Sequence, residues 1–422
     1  MTLPDRIAAA CDAVVPPGPT VAALGGGADS AAAAWGCRRA GRPLVGVFVD
    51  HRLEGSARLR DAARRLARHL DIELQVVPAP CVDGPSLELR ARELRRAALS
   101  RVANGRPIVL GHTADDQAET VLMHLLRGAG TRGLAGMRTV DPPWHRPLLD
   151  VARADTRALA DAVALPYVDD PANVDLRFTR NRLRHVGLPS LAEAMGDRDV
   201  VGMLGAAARR FREVDALLGT LADEVPVRRD AGAILLPVPV LATIAHPVAT
   251  YAVWRALRGP AGPQGGSAAD VAAVMAVVSG ARRRQLGGGL LAEREGPYVA
   301  IHAGPVPAPE PIVDVPVPGR VRFGNLTVAI APGGGGAGLA PALGDGRLSL
   351  RAPEPGDRID IGGGTKRVVE ALAEAAVPVR LRSAWPVLVV DGAVAAIPGV
   401  RLARWAASRQ DGALQLEIER GP

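Results

Sequence analysis

Residues 20–40, TVAALGGGADSAAAAWGCRRA, set a short apolar run against three glycines and follow them with an alanine-rich stretch. TVAAL reads as a buried strand and SAAAAWGCRRA as a helix, so GGGADS at 25–30 falls where a strand feeds a helix N-terminus. Successive glycines let backbone N–H groups turn towards one point without Cβ obstruction, and the helix dipole adds positive potential there. An anion fits that position, although an ordinary βα turn also accounts for the glycines taken alone. Two familiar phosphate motifs are excluded. GxxxxGK followed by Ser or Thr is absent because the single lysine, Lys366, is far away, and GxGxxG is not met because Asp29 and Ser30 follow.

Working outward, the apolar runs PLVGVFVD, ELQVVPA and PIVLGH alternate with helical stretches such as GSARLRDAARRLARHL and DDQAETVLMHLLRG. Apolar strands separated by amphipathic helices predict an α/β domain over 1–190 with a doubly wound, mostly parallel sheet. Residues 191–303 read as a mostly helical middle domain closing on short strands at LLAEREGPYVAIH. The Pro and Gly density of 304–345 predicts a linker, with VRFGNLTVAI as a strand pair inside it. From 346 to 422 the pattern of strand, helix and hairpin predicts a small α+β domain.

With 422 residues and 48% hydrophobic content, the chain is long enough for two or three cores. No apolar run is long enough for a membrane span, and the N-terminus lacks the order of a signal peptide, which predicts a cytoplasmic protein without membrane contact. Cys11, Cys37 and Cys81 are too scattered for a disulfide framework or a zinc site. A net charge of +7 is compatible with a nucleic-acid partner. The basic residues are almost all arginine, however, a bias that a GC-rich genome produces unaided.

Four sets of residues can carry chemistry. In HTADDQAET, a helix beginning near Asp115 puts Asp116 and Glu119 three apart on one face, where they can hold Mg²⁺ or an ammonium. Acidic N-capping explains Asp115 and in part Asp116, but Glu119 less easily. His112, at a strand end, is placed to touch adenine or phosphate, or is a surface histidine. In RFTRNRLRH, Arg180 and Arg184 share a helix side and Asn181 can reach backbone or base edges, which suits nucleotide contact; a solvated basic face is the alternative. Lys366 in GGGTKR is either a site needing a compact ammonium or a chance survivor.

The loop resembles the SGGxDS motif of the PP-loop ATP pyrophosphatases, through Gly26, Gly27, Asp29 and Ser30, with Gly25 in place of the first serine. Further stretches narrow the resemblance to the tRNA(Ile)-lysidine synthetases. FVDHRLEGSA keeps Asp50 and His51 of a VDHGLR segment, with Arg52 replacing its glycine. SLELRARELRR is similar to an AR-x-x-R helix through Ala91, Arg92 and Arg95. GHTADDQAETVLMHLLRGAGTRGLAGM at 111–137 resembles HHxDDQxETxLxxLxRGxGxxGLxGM almost throughout, Arg127 included. RPLLDVAR and VDDPANVDLRFTRNRLRHVGLP complete the set, and PGDR, GGTKRVVEALAEAAVPVRLRSAWPVLVVDG and IPGV look like the family's C-terminal tRNA-binding module.

The resemblance implies an adenine nucleotide alpha hydrolase-like fold and ligation of L-lysine to C2 of the wobble cytidine of CAU-anticodon isoleucine tRNA, with ATP consumed to AMP and pyrophosphate. ATP would lie on Gly25, Gly26, Gly27, Ala28, Asp29 and Ser30, near Asp50, His51 and His112, with Mg²⁺ held in part by Asp29. Asp116 and Glu119 would steer the ammonium groups of lysine, and Arg92 would stabilise charge in the adenylation step. Asp115, Arg127, Arg180, Asn181, Arg184, Lys366 and Arg367 would meet substrate or tRNA, and family members commonly form homodimers. A thiolating PP-loop enzyme remains an alternative, although the cysteines offer no catalytic pair. A small-molecule amidotransferase-linked synthetase would lack the C-terminal module. A degenerate, non-catalytic tRNA-binding relative is the third alternative, kept open by Gly25.

Overall fold

Helix α1 (Leu3–Val14) begins at a capping box in which the Thr2 hydroxyl accepts the Asp5 amide and the Asp5 carboxylate accepts the Thr2 amide. This is a computed structural model, and it describes residues 1–422 other than 83, 85–86, 259–265, 309–311, 334–337, 346, 412 and 421–422. Ser86 of the AR-x-x-R stretch and parts of the expected linker and C-terminal domain therefore lie outside the described residues. The described chain divides into two compact units, Met1–Leu217 and Leu218–Pro422.

In the first unit, β1 (Thr20–Ala23) leads through the glycine loop into α2 (Ala28–Arg39), followed by β2 (Leu44–Asp50), α3 (Ser56–His69), β3 (Glu73–Pro78), α4 (Leu87–Ala103) and β4 (Ile108–Val109). Then come α5 (Ala114–Leu126), α6 (Thr131–Leu134), the short β5 (Val140–Asp141) and β6 (Trp144–His145), and α7 (Arg153–Ala162). The sheet runs β3-β2-β1-β4-β6-β5, parallel throughout except for the antiparallel edge strand β5. Strand β1 thus has β2 on one side and β4 on the other. The chain reverses its winding direction between them, and a crevice opens at their carboxyl ends, the usual ligand position in such sheets. The α/β doubly wound class expected from the sequence is the observed one.

Small residues bring this crevice together. Ala31, Ala32, Ala33 and Ala34 of α2 are all buried, and a Cβ at Gly36 would sit 2.7 Å from Cys11 Sγ, so α1 and α2 cross with almost no side chain between them. A Cβ at Gly111, just past β4, would lie 2.6 Å from the Asp29 carbonyl carbon. Glycine there lets the end of β4 press against the first turn of α2.

After α7 a one-turn 3₁₀ segment (Pro171–Val174) leads to α8 (Thr179–Arg182), a π-helical turn (Leu183–Gly187), α9 (Leu188–Ala194) and α10 (Val200–Asp223), which runs past the division between the units. In the second unit, helices at His246–Arg258 and Ala268–Val278 accompany a five-stranded antiparallel sheet, in which three strands, Arg228–Asp230, Ala233–Pro237 and Arg283–Gln285, join the two read from LLAEREGPYVAIH. The edge strands Arg228–Asp230 and Arg283–Gln285 carry arginines rather than alternating apolar residues, which hides them from a pattern reading.

The expected linker at 304–345 is a correction. Gly319–Phe323 and Leu326–Pro332 form a hairpin, and the second strand pairs along its length with the terminal strand Leu414–Arg420. The strand pair at VRFGNLTVAI is therefore structural, with Phe323, Leu326, Val328 and Ile330 in the largest core of this unit. Gly324 makes the turn, while Gly319 and Pro332 lie at the outer ends of the two strands, so the Pro and Gly signal does not exclude strand here. Arg380, with no exposed side-chain surface, binds Asp230 at 2.6 Å and Glu295 at 2.9 Å, joining the middle sheet to the C-terminal helices. Among the described residues no helix is long and apolar enough to cross a membrane.

Candidate active site

The crevice encloses a cavity of about 710 Å³. Of the residues singled out from the sequence, Gly25, Gly27, Ala28, Asp29, Ser30, His51, Arg92, His112, Asp116 and Arg184 line it. Gly26, Asp50, Asp115, Glu119, Arg127, Arg180 and Asn181 stand outside its wall, and Lys366 and Arg367 belong to the second unit.

The glycine loop is held by its own serine. Ser30 Oγ accepts the Gly25 amide at 3.2 Å and donates to the Gly27 carbonyl at 2.9 Å, so the hydroxyl is engaged in shaping the loop. Gly26 adopts φ +85°, and a Cβ there would lie 2.7 Å from the Leu59 carbonyl. Glycine is required at that position by conformation and by space. Gly25 differs: the nearest atom to a Cβ there is Ser30 Oγ at 3.8 Å, and its φ lies outside the left-handed region.

Helix α5 delivers the carboxylates. Thr113 caps it, and the Asp116 carboxylate accepts the Thr113 amide at 2.8 Å, so Asp116 serves as both a capping residue and a cavity residue. Glu119, one turn on, has no exposed surface. Arg180 Nε reaches it at 2.6 Å and Arg184 Nε at 2.7 Å, which gives the shared helix side of these two arginines its use. The π-helical turn begins at Leu183, between them. Asn181 is buried and donates to the Ala172 and Asp175 carbonyls at 2.8 and 2.9 Å, fixing the chain's own 3₁₀ turn. Asp50 is likewise committed, to Arg60 at 3.0 Å and the Arg52 amide at 2.9 Å, while His51 Nδ1 meets the Ala79 carbonyl.

The centre of the site is a residue that spacing does not point to. Arg153, at the start of α7, contacts Asp116 at 2.9 Å, Asp29 at 3.4 Å, Glu119 at 3.5 Å and Asp115 at 3.9 Å, and its amide donates to Asp115 at 2.8 Å. Thr156, one turn along α7, hydrogen-bonds Asp29 closely. The sequence signal available for Arg153 is its place at the end of RPLLDVAR, which carries no spacing to a partner. Burial alone would lower the Arg153 pKa, but Asp116, Glu119, Asp29 and Asp115 raise it above the ordinary guanidinium value.

The same electrostatics divide the acids. Burial raises the Asp29 carboxyl above the usual range despite Thr156 and Arg153. Burial pushes Asp116 the same way, yet Arg153, Arg180, His112 and the Thr113 amide bring it below. Across the cavity, Arg92 is depressed to about 10 by burial and by Arg180, Arg95, Arg96 and Arg146. Mutual repulsion of this kind makes the wall receptive to anions. His112, its Nδ1 buried without a hydrogen-bond partner among the described residues, falls to about 3 through burial, which outweighs Asp116, with Arg146, Arg180 and Arg95 adding to the fall. It stands neutral at physiological pH.

A glycine loop at a helix start, a guanidinium wall and an acid cluster thus share one crevice. The PP-loop domain family matches residues 8–191, and the TilS substrate C-terminal domain family matches 348–418. A tRNA(Ile)-lysidine synthase of Mycolicibacterium paratuberculosis is 45% identical over 228 residues, which cover 54% of this chain and 70% of that one. The chain belongs to the tRNA(Ile)-lysidine synthase family. The synthase of Rhodococcus jostii is 41% identical over 215 residues, 50% of this chain, and there the chain spans 66% of the relative's length. A solved structure, the U34-tRNA thiolase NcsA of Methanococcus maripaludis, is 18% identical with a TM-score of 0.43, over 50% of this chain and 80% of that one. Gln117 accounts for part of the family's longest motif in physical terms: its amide accepts the Met137 N–H at 2.8 Å and donates to the Met137 carbonyl at 3.1 Å, locking the RGAGTRGLAGM loop against α5.

Proposed function

We propose that this chain joins L-lysine to C2 of the wobble cytidine of a CAU-anticodon isoleucine tRNA, converting ATP to AMP and pyrophosphate. The observation that carries the reading is the crevice itself: a glycine loop at a helix N-terminus opposite the Arg92 wall, with the carboxylate of Asp116 in the same cavity. Family membership and the C-terminal domain match at 348–418 support the tRNA as the larger substrate.

The loop amides of 25–30 and the start of α2 bind the triphosphate. The cytidine O2 attacks the α-phosphorus, the anhydride bond to the β-phosphate breaks, and pyrophosphate leaves. Arg92 offsets the negative charge that develops during this step. The ε-amine of lysine then adds at C2, loses a proton, and AMP departs. Asp116 faces the cavity and seats an ammonium of the amino acid, with Glu119 behind it. Neutral His112 offers a hydrogen-bond acceptor to the base or nucleotide.

Among the described residues no three His, Cys, Asp or Glu side chains are grouped to hold a metal. Asp29 does fit Mg²⁺ in another way, as one carboxylate acting with substrate phosphates, an arrangement that suits this ion. Bound there, Mg²⁺ would neutralise phosphate charge, and Thr156 and Arg153 would orient the Asp29 oxygens.

The test is incorporation of labelled lysine into isoleucine tRNA transcript, dependent on both ATP and tRNA, with AMP released in equal amount. Sulfur transfer in place of lysine transfer, or tRNA binding without ATP turnover, would reject the proposal.

A further inference from the structure

Three guanidinium groups and four carboxylates meet at one wall of the cavity, and their arrangement is uneven. Arg180 and Arg184 hold Glu119 from the side of α8 and the π-helical turn. Arg153 lines the cavity, while Glu119, which it touches, has no exposed surface. Its Nη2 takes Asp116 Oδ1 at 2.9 Å, so Arg153 occupies the cavity-facing carboxylate oxygen that an entering ligand ammonium would need, while Glu119 behind it is held by Arg180 and Arg184. Two cations cannot share that oxygen at full strength.

The other end of the same guanidinium points to a different element. Arg153 Nε lies 3.4 Å from Asp29 on the phosphate loop, so Arg153 spans the nucleotide loop and the acid pocket. Anything that draws Asp29 away, or that offers phosphate oxygens beside it, changes how strongly Arg153 is held over Asp116. Planar, forked donors suit this bridging in a way that an ammonium does not.

We propose that Arg153 is a positioning residue that couples the two substrates: its side chain covers the amino-acid ammonium seat on Asp116, and yields it when nucleotide engages the loop around Asp29. The inference rests on the proposed lysine-binding role of Asp116. It imposes an order in which the amine is admitted after the nucleotide. By linkage, lysine and nucleotide then raise each other's affinity.

Arg153 can be removed without stranding the buried acids. Glu119 keeps Arg180 and Arg184, and Asp116 keeps Arg184 at 3.4 Å and the Thr113 amide. Isothermal titration of the full chain with L-lysine, with and without a non-hydrolysable ATP analogue and magnesium, reads the coupling directly. For the wild type, the analogue should tighten lysine binding on the order of tenfold, within the usual range for coupled sites. Arg153→Ala should bind lysine more tightly than wild type without the analogue, and the analogue should then have no effect. Arg153→Lys, which keeps a cation but cannot span both elements, should bind lysine no more tightly than wild type and also lose the response to the analogue.

Weaker lysine binding by Arg153→Ala would mean that Arg153 grips the amino-acid carboxylate, and overturns the inference. A coupling that survives in both variants overturns it as well, leaving Arg153 a structural ion-pair partner. If the wild type binds nucleotide but no lysine in either condition, the lysine-site reading fails instead, so the two failures are distinguishable.

Discussion

The Gly25 amide donates to Ser30 Oγ across 3.2 Å, closing the phosphate loop on itself. A serine at position 25 would enter open space, with Ser30 Oγ its nearest neighbour at 3.8 Å and no backbone strain. Gly25→Ser should therefore fold with unchanged stability and add one donor towards the triphosphate. The expected gain in the rate of pyrophosphate release is about tenfold, the worth of one charge-assisted hydrogen bond. Gly26→Ser is the contrast, because φ +85° and the Leu59 carbonyl at 2.7 Å oppose any side chain. It should cost roughly 2–4 kcal/mol in denaturant titrations. Equal stability of the two variants would contradict this reading of the loop.

His112 makes stability depend on pH in a defined direction. Its folded value of about 3 lies below the unfolded value of about 6.5, so between these limits the unfolded chain binds the extra proton. The contribution of neutral His112 is complete above about pH 6.5 and is lost progressively as pH falls towards 3. Replacing His112 with Gln should flatten the stability–pH curve across that window; parallel curves for variant and wild type would disprove the assignment.

Arg52 has φ +55°, a left-handed conformation that L side chains adopt at a cost. It stands where the family pattern VDHGLR has glycine. Arg52→Gly keeps the backbone hydrogen bond from position 52 to Asp50 and should stabilise the first unit by about 1 kcal/mol. Chemical denaturation decides the point, and a loss of stability would show that the arginine side chain contributes more than its backbone costs.

Arg380 is the buried cation between Asp230 and Glu295. Arg380→Met removes the guanidinium that both acids share, and burial already raises the Glu295 carboxyl above its ordinary value in spite of Arg380. A loss of about 3–5 kcal/mol in the second unit is expected. Hydrogen exchange in strand Leu291–Glu295 should report it, with protection falling there while β1 and β2 keep theirs. Unchanged exchange would mean that the surrounding apolar core carries the junction alone.

Much of this architecture was legible before any coordinates. Strand runs with period-independent apolar character, helices with amphipathic faces and a glycine loop between them specify a doubly wound sheet, because local propensity and burial agree along 20–170. Asp116 and Glu119 were legible as a pair because α-helical spacing puts residues three apart on one face. The strands at Arg228–Asp230 and Arg283–Gln285 were not, since their side chains follow solvent exposure at a sheet edge rather than an apolar alternation. The hairpin at 319–332 was half legible, its strands visible and its role in a core hidden by the proline and glycine around it.

The linear chain by itself determined the loop, the helix that receives its anion, and the family pattern around both, since each depends on residues close in sequence. Which carboxylates are committed and which face the cavity was decided only in three dimensions. Arg153 lies 124 residues from Asp29 and 37 from Asp116 along the chain, and only sheet winding brings α7 against the starts of α2 and α5. Charge interactions act through space and fall off with distance, so no spacing rule in one dimension encodes them.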